Sequence, residues 1–205
     1  MRNSFPQYSP GQIIGGRYRV LQALASGRLG TVHVCAEVAS GRIVAVKVYR
    51  RELSRDADCS TLLQRRAREA GSLAGSHPGL LAVHECERTE SGDLYVVMEY
   101  AKGRTLRDVL LAERVLEVAR ATRLAGQIAE ALDAAHRREI LHGHLSPAHV
   151  LVVGADASET VRLKGFESGG VDEVGALGSM RWAGALPVAS SYVSPEQIEG
   201  DRVSP

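Results

Sequence analysis

Apolar positions come in short alternating or β-branched bursts over the first half of the chain and in helical steps over the second. From Arg17 to Tyr49 the runs R-Y-R-V-L, T-V-H-V and R-I-V-A-V-K-V-Y are separated by glycine-containing turns at Ser26-Gly27 and Ser40-Gly41. That pattern predicts three antiparallel strands. A helix is expected next, capped by Asp58 or Ser60 and running to about Ala74, with Leu62, Glu69 and Leu73 on one face. His77-Pro78-Gly79 ends it. Two more strands, L-L-A-V-H-E and D-L-Y-V-V-M-E-Y, are joined by a turn at Ser91-Gly92. After Gly103 the period becomes helical, and Ala119 to His136 places Leu124, Ile128, Leu132 and Ala135 on one stripe. Strand-like and loop character returns over Ile140 to Val153. A β-rich half therefore meets an α-rich half near Ala101 to Gly103, with no internal repeat and no low-complexity tract.

Composition narrows the classes that such a chain can belong to. Hydrophobic residues at 44% and charged residues at 24% give a globular profile, and 205 residues are enough for a sizeable core. A net charge of +1 supplies no field for nucleic acid or anionic lipid, so no nucleic-acid partner is expected. The three cysteines, Cys35, Cys59 and Cys86, lack paired metal-site spacing and read as reduced thiols of a cytoplasmic protein. No apolar run is long enough to span a bilayer, and the start lacks the apolar stretch of a signal peptide, although a longer parent could carry an anchor past Pro205.

Two strings carry candidate chemistry. L-A-S-G-R-L-G-T-V-H-V, from Leu24 to Val34, sets Gly27 and Gly30 between two predicted strands, where glycine lets backbone amides approach phosphate, although such glycines also serve plain turns. One strand later V-A-V-K ends at Lys47, one of three lysines in a chain with 25 basic residues. Glu69, on the inward face of the predicted helix, offers it a carboxylate partner. Further on stand V-V-M-E-Y-A around Met98, L-H-G-H-L-S-P-A-H-V-L from Leu141 to Leu151, K-G-F-E from Lys164 to Glu167, and S-Y-V-S-P-E-Q around Pro195.

In order, spacing and local structure these strings resemble the eukaryotic-type protein kinases, and H-P-G-L-L, M-E-Y and S-P-E-Q resemble the bacterial serine/threonine kinases in particular. The resemblance covers nearly all of residues 16 to 200. It implies an α+β, two-lobe kinase fold: an extension over 1–15, a five-stranded sheet with one main helix over 16–100, and a partial helical lobe over 101–205. It also implies that nucleotide is held by Gly27, Gly30, Lys47 and Glu69, by the hinge at Met98, Glu99 and Ala101, and by Val32, Ala45 and Leu151 around the adenine. Leu73, Val83, His142 and Phe166 match the family's stacked spine.

The catalytic positions depart from the pattern. Where the family has its proton-accepting Asp, its phosphate-steadying Lys and its metal-binding Asn, this chain has His144, Ser146 and His149, and Gly165 replaces the metal-binding Asp. Imidazole can serve as a base, but glycine supplies no ligand and imidazole is a poor one for magnesium. The expectation is a pseudokinase that binds ATP weakly without magnesium and acts as a regulatory or scaffolding module for an unidentified protein partner. Alternatives are an active kinase using His144 as base, metal capture by Glu167, and a broken gene product. A zinc site built from His136, His142, His144 and His149 ranks below ordinary packing for those rings. The resemblance also implies that helices beyond Pro205 normally cover the stripe of Leu124, Ile128 and Leu132, so residues 1 to 205 alone are expected to be marginally stable and to self-associate.

Overall fold

The structure is a computed structural model that describes residues 8–169, 192 and 194–196. Of the S-Y-V-S-P-E-Q string, Tyr192, Ser194, Pro195 and Glu196 lie within those residues and Ser191, Val193 and Gln197 outside them. The chain divides into two compact units, the first formed by residues 1–72 and 82–100 and the second by 73–81 and 101–205.

The first unit is built on an antiparallel sheet of six strands: β1 (Ile13–Ile14), β2 (Tyr18–Ser26), β3 (Gly30–Glu37), β4 (Ile43–Tyr49), β5 (Val83–Arg88) and β6 (Leu94–Glu99), in the order β1-β2-β3-β4-β6-β5. The strands expected from alternation are all present. The sheet gains β1, whose two residues are too few to show a period; neighbouring backbone fastens it, Gly11 N donating to Val20 O at 2.8 Å and Val20 N to Gln12 O at 2.8 Å. The buried side chains of Val44, Val46, Val48, Tyr95 and Val97 share one cluster with Ile14, Tyr18, Val20 and Cys35. Alternation sends their neighbours Ala45, Lys47, Val96 and Met98 to the opposite face.

Helix α1 (Arg51–Arg55) precedes α2 (Ala57–Ser72). The cap of α2 is Asp56 and neither Asp58 nor Ser60: Asp56 Oδ1 accepts from Cys59 N at 2.8 Å. Of the expected face, Leu73, just past the helix end, is buried, whereas Leu62 and Glu69 are half-buried, and within the helix the buried residues include Cys59, Leu63, Ala67 and Ala70. The cap upstream fixes where the helix starts, and its buried residues are mostly small.

The second unit has a three-stranded sheet, β7 (Arg104–Thr105), β8 (Val150–Val153) and β9 (Thr160–Leu163), with helices α3 (Leu106–Glu113) and α4 (Val118–His136). Thr105 caps α3 by accepting from Asp108 N at 3.1 Å, and Glu117 caps α4 through Ala119 N and Arg120 N, both at 2.9 Å. On α4 Leu124, Ala131, Ala134 and Ala135 are buried, whereas Ile128 and Leu132 are half-buried. Residues 73–81 join this unit through Leu163 N to Gly79 O at 2.7 Å and Leu81 N to Leu163 O at 2.9 Å. No described helix is long and apolar enough to cross a membrane.

Candidate functional site

In the first unit the register gathers four of the expected nucleotide residues. Val32 stands opposite Lys47 and Lys47 opposite Val96, while in the next row of that face Val34 faces Ala45 and Ala45 faces Met98. Directly opposed residues in an antiparallel pair project to the same side. Val32, Ala45, Lys47 and Met98 therefore share the face away from the Val44–Val46–Val48 cluster. Lys47 Nζ lies 5.1 Å from the ring centroid of Tyr49, within the range of a cation–π contact. Tyr49 was not among the expected residues, although its place two residues from Lys47 on a strand already puts it on that face.

The two loop glycines differ. Gly27 N donates to Gly30 O at 2.9 Å, closing the hairpin between β2 and β3. A Cβ at Gly30 would run into the carbonyl oxygen of Val48, with the Tyr49 Cα at 3.0 Å, whereas a Cβ at Gly27 meets only Gly30 O at 4.0 Å. Backbone packing against β4 thus requires glycine at position 30 and leaves position 27 open. Glu69 lies 3.1 Å from Arg66 Nη1 and 3.5 Å from Arg65 Nε, and these are its ion pairs among the described residues. Glu99 N donates to Ala82 O at 2.8 Å, and Ala82 N reaches Glu99 Oε2 at 3.3 Å.

In the second unit Ala101 is half-buried, and half-buried Leu151 lies on β8 opposite Thr105 and Arg162. The loop that follows α4 brings His142, His144 and His149 together, with ring centroids 4.8 Å apart for His142–His144, 5.3 Å for His142–His149 and 4.3 Å for His144–His149. His142 is 3% exposed; its Nε2 donates to Lys164 O at 3.0 Å, and its Nδ1 accepts from His144 N at 3.4 Å. Phe166 meets the same ring edge-on at 4.7 Å. One nitrogen donating and one accepting is the neutral tautomer. Burial first, and then the field of His144, hold the His142 pKa down at about 4.

His144 Nδ1 lies 3.2 Å from His142 O, and Ser146 Oγ lies 3.0 Å from His149 Nδ1. Burial pushes His149 far below the usual histidine range, so both it and His142 are uncharged at neutral pH. Gly165 adopts φ 108°, and a Cβ there would lie 2.9 Å from His149 Cδ2. Glu167 is 3% exposed, and its Oε1 accepts from Ser168 Oγ at 3.3 Å. Among the described residues no group of three His, Cys, Asp or Glu side chains is arranged to hold a metal ion, the three histidines included. A hollow of about 710 Å³, bordered by Lys102, Arg120 and Glu159, contains none of the expected site residues.

The family model for the protein kinase domain matches residues 18–205. The serine/threonine-protein kinase PknB of Mycobacterium leprae is 31% identical over 193 residues, which is 93% of this chain and 30% of that protein. The serine/threonine-protein kinase Pkn2 of Myxococcus xanthus is 34% identical over 192 residues, 93% of this chain and 22% of that protein. The chain therefore spans less than a third of these curated relatives. Among solved structures, the Mycobacterium tuberculosis PknI kinase domain carrying two substitutions superposes with a TM-score of 0.75 at 25% identity, covering 97% of this chain and 72% of that one.

Proposed function

The chain belongs to the protein kinase domain family, with bacterial serine/threonine kinases as its relatives, and on that premise we propose that it is a catalytically inactive member working as a regulatory or scaffolding module. The single observation that carries this reading is the contact of His149 with Gly165 at the two positions where the family binds its metal. Magnesium seeks hard oxygen ligands in a near-octahedral shell. A neutral imidazole and a hydrogen atom do not provide them, and the nearby carboxylate of Glu167 is buried beside Ser168. The residues present do not fit the ion, so no phosphate-transfer step is derived through it.

The remaining residues support the same reading. Ser146, where a phosphate-steadying cation is expected, engages His149 with its hydroxyl. What remains for a nucleotide in the first unit is the face bearing Val32, Ala45, Lys47 and Met98. Binding through that face is weak and indifferent to magnesium, and the module acts through a protein partner.

Incubation with γ-labelled ATP and generic protein acceptors tests the proposal. Label on acceptor or on the protein itself should stay at background. Transfer that disappears in His144→Ala would overturn the reading and establish a kinase that uses imidazole as its base. Melting with ATP, with and without magnesium, is the companion measurement; a large magnesium-dependent gain would show that another carboxylate has taken the metal, and its loss in Glu167→Gln would identify Glu167.

A further inference from the structure

Positions 149 and 165 depart from the kinase pattern sixteen residues apart in sequence, yet in the fold they form one contact. Gly165 sits at φ 108°, a backbone state that side chains rarely adopt, and a Cβ built there lies 2.9 Å from His149 Cδ2 and 3.4 Å from both Cε1 and Nε2 of His142. Neither ring is loosely held. Ser146 Oγ engages His149 Nδ1 at 3.0 Å, His149 N donates to Ser146 O at 2.9 Å, and Lys164 N donates to His149 O at 3.0 Å. The His144 ring packs 4.3 Å away on an edge-to-face contact. His142 is anchored in turn through Nε2 to Lys164 O. A side chain at 165 therefore has to displace an imidazole fastened at its ring and at both sides of its backbone.

We infer that His149 is a plug: its imidazole fills the room in which a side chain at position 165 would begin, so the family's metal position is closed by an added group as well as lacking a ligand. The inference rests on the inactive reading given above and adds how the site became closed. Restoring a carboxylate at 165 alone cannot reopen it, because the first carbon of that side chain meets the plug. Asparagine at 149 keeps an atom near the place of Cδ2 but loses the rest of the ring, so its small amide can turn aside, and with a carboxylate restored at 165 the pair offers an amide oxygen and a carboxylate to an oxygen-seeking divalent cation.

The test compares the full chain with His149→Asn, Gly165→Asp and the double variant, by thermal melting without ligand and with manganese(II) alone as the probe. Gly165→Asp should lower the melting temperature by about 5 °C or more, the scale set by overpacking plus a strained backbone in a chain of this size. In the double variant at least half of that loss should be recovered, and only the double variant should melt higher with millimolar manganese. Equal losses from Gly165→Asp in both backgrounds would overturn the plug, as would manganese stabilisation of Gly165→Asp alone. If the aspartate variants fail to fold, Gly165→Ala measured with and without His149→Ala reads the same coupling, and additive losses again overturn it. Wild-type protein that transfers phosphate while the cycle remains coupled would sink the proposed function and leave the plug standing. An additive cycle in a protein that transfers none would do the reverse.

Discussion

His33 and His142 are both buried, and they show how differently the two units treat a polar group. His33, 1% exposed on β3, has neither ring nitrogen hydrogen-bonded among the described residues, and its ring meets Tyr8 edge-on at 6.0 Å. His142, 3% exposed, has both nitrogens engaged, with Lys164 O and His144 N. An unpartnered buried polar group costs on the order of 1–3 kcal/mol. His33 stands opposite Val46, beside the Val20–Cys35–Val44 row, so the sheet of the first unit carries that cost next to a buried apolar cluster. The loop of the second unit has little apolar side chain of its own and is held by mutual polar contacts. Substitutions in the sheet should therefore act one at a time, whereas those in the loop should act through their partners.

The largest expected effect lies in the sheet and tests whether its backbone can yield. Gly30→Ala should lower stability by roughly 2–3 kcal/mol, because its Cβ meets the Val48 carbonyl, a backbone atom that cannot step aside. Gly27→Ala, with only Gly30 O at 4.0 Å, should change it by less than about 1 kcal/mol. Urea unfolding midpoints measure both. Equal losses would mean that the hairpin is strained throughout and that the sheet is no more forgiving than the loop.

One substitution placed at the two histidines sharpens the contrast. His142→Phe should cost about 2 kcal/mol at pH 7, since it removes the part-buried hydrogen bonds with the Lys164 carbonyl and the His144 amide. His33→Phe should instead gain about 1 kcal/mol, since no hydrogen bond is lost and two unpartnered nitrogens leave the core. The pH dependence has the same sign for both residues. Burial lowers the pKa of each below the ordinary 6.5, so below that pH the unfolded chain takes up more protons than the folded one. Stability should be fully present above pH 6.5 and should fall as pH drops, for His142 through a window reaching down to about 4. Each phenylalanine variant should flatten part of that slope in a series of melts. An unchanged slope in both would mean that neither ring remains neutral in the fold.

The alternating runs made the sheet legible, because β2 to β6 each contain enough residues for a period of two to be read. Elements too short for a period were not: β1 has two residues and α1 five. Helix α3 was not expected, although the chain held a signal for it: Thr105 followed three residues later by Asp108 is a capping pattern, and the two side chains pair at 2.5 Å. At the site, Val32, Ala45, Lys47 and Met98 were named through the kinase resemblance, and it is the observed register between β3, β4 and β6 that puts them on one face. The contact between His149 and Gly165 has no local signal. It depends on β8, β9 and the turns beside them folding those positions together, and a composition of two unrelated departures gave no reason to couple them.

The smallest expected effect concerns Glu69 on α2, whose role the kinase resemblance and the observed pairing describe differently. Its carboxylate, 36% exposed, lies beside Arg65 and Arg66 on its own helix, and such pairs contribute roughly 0.3–0.5 kcal/mol each. Gln keeps an oxygen for Arg66, so Glu69→Gln should shift the melting temperature by no more than about 1 °C. If the arginines are where Glu69 acts, the variant should also keep most of any ATP-induced rise in melting temperature, while Lys47→Met removes that rise by deleting the cation on the nucleotide face. Loss of the rise in both variants would show that Glu69 leaves Arg65 and Arg66 to pair with Lys47 once nucleotide is present. In that event the sheet would share the partner-dependence of the loop, and the distinction between the two units would narrow to their apolar rows.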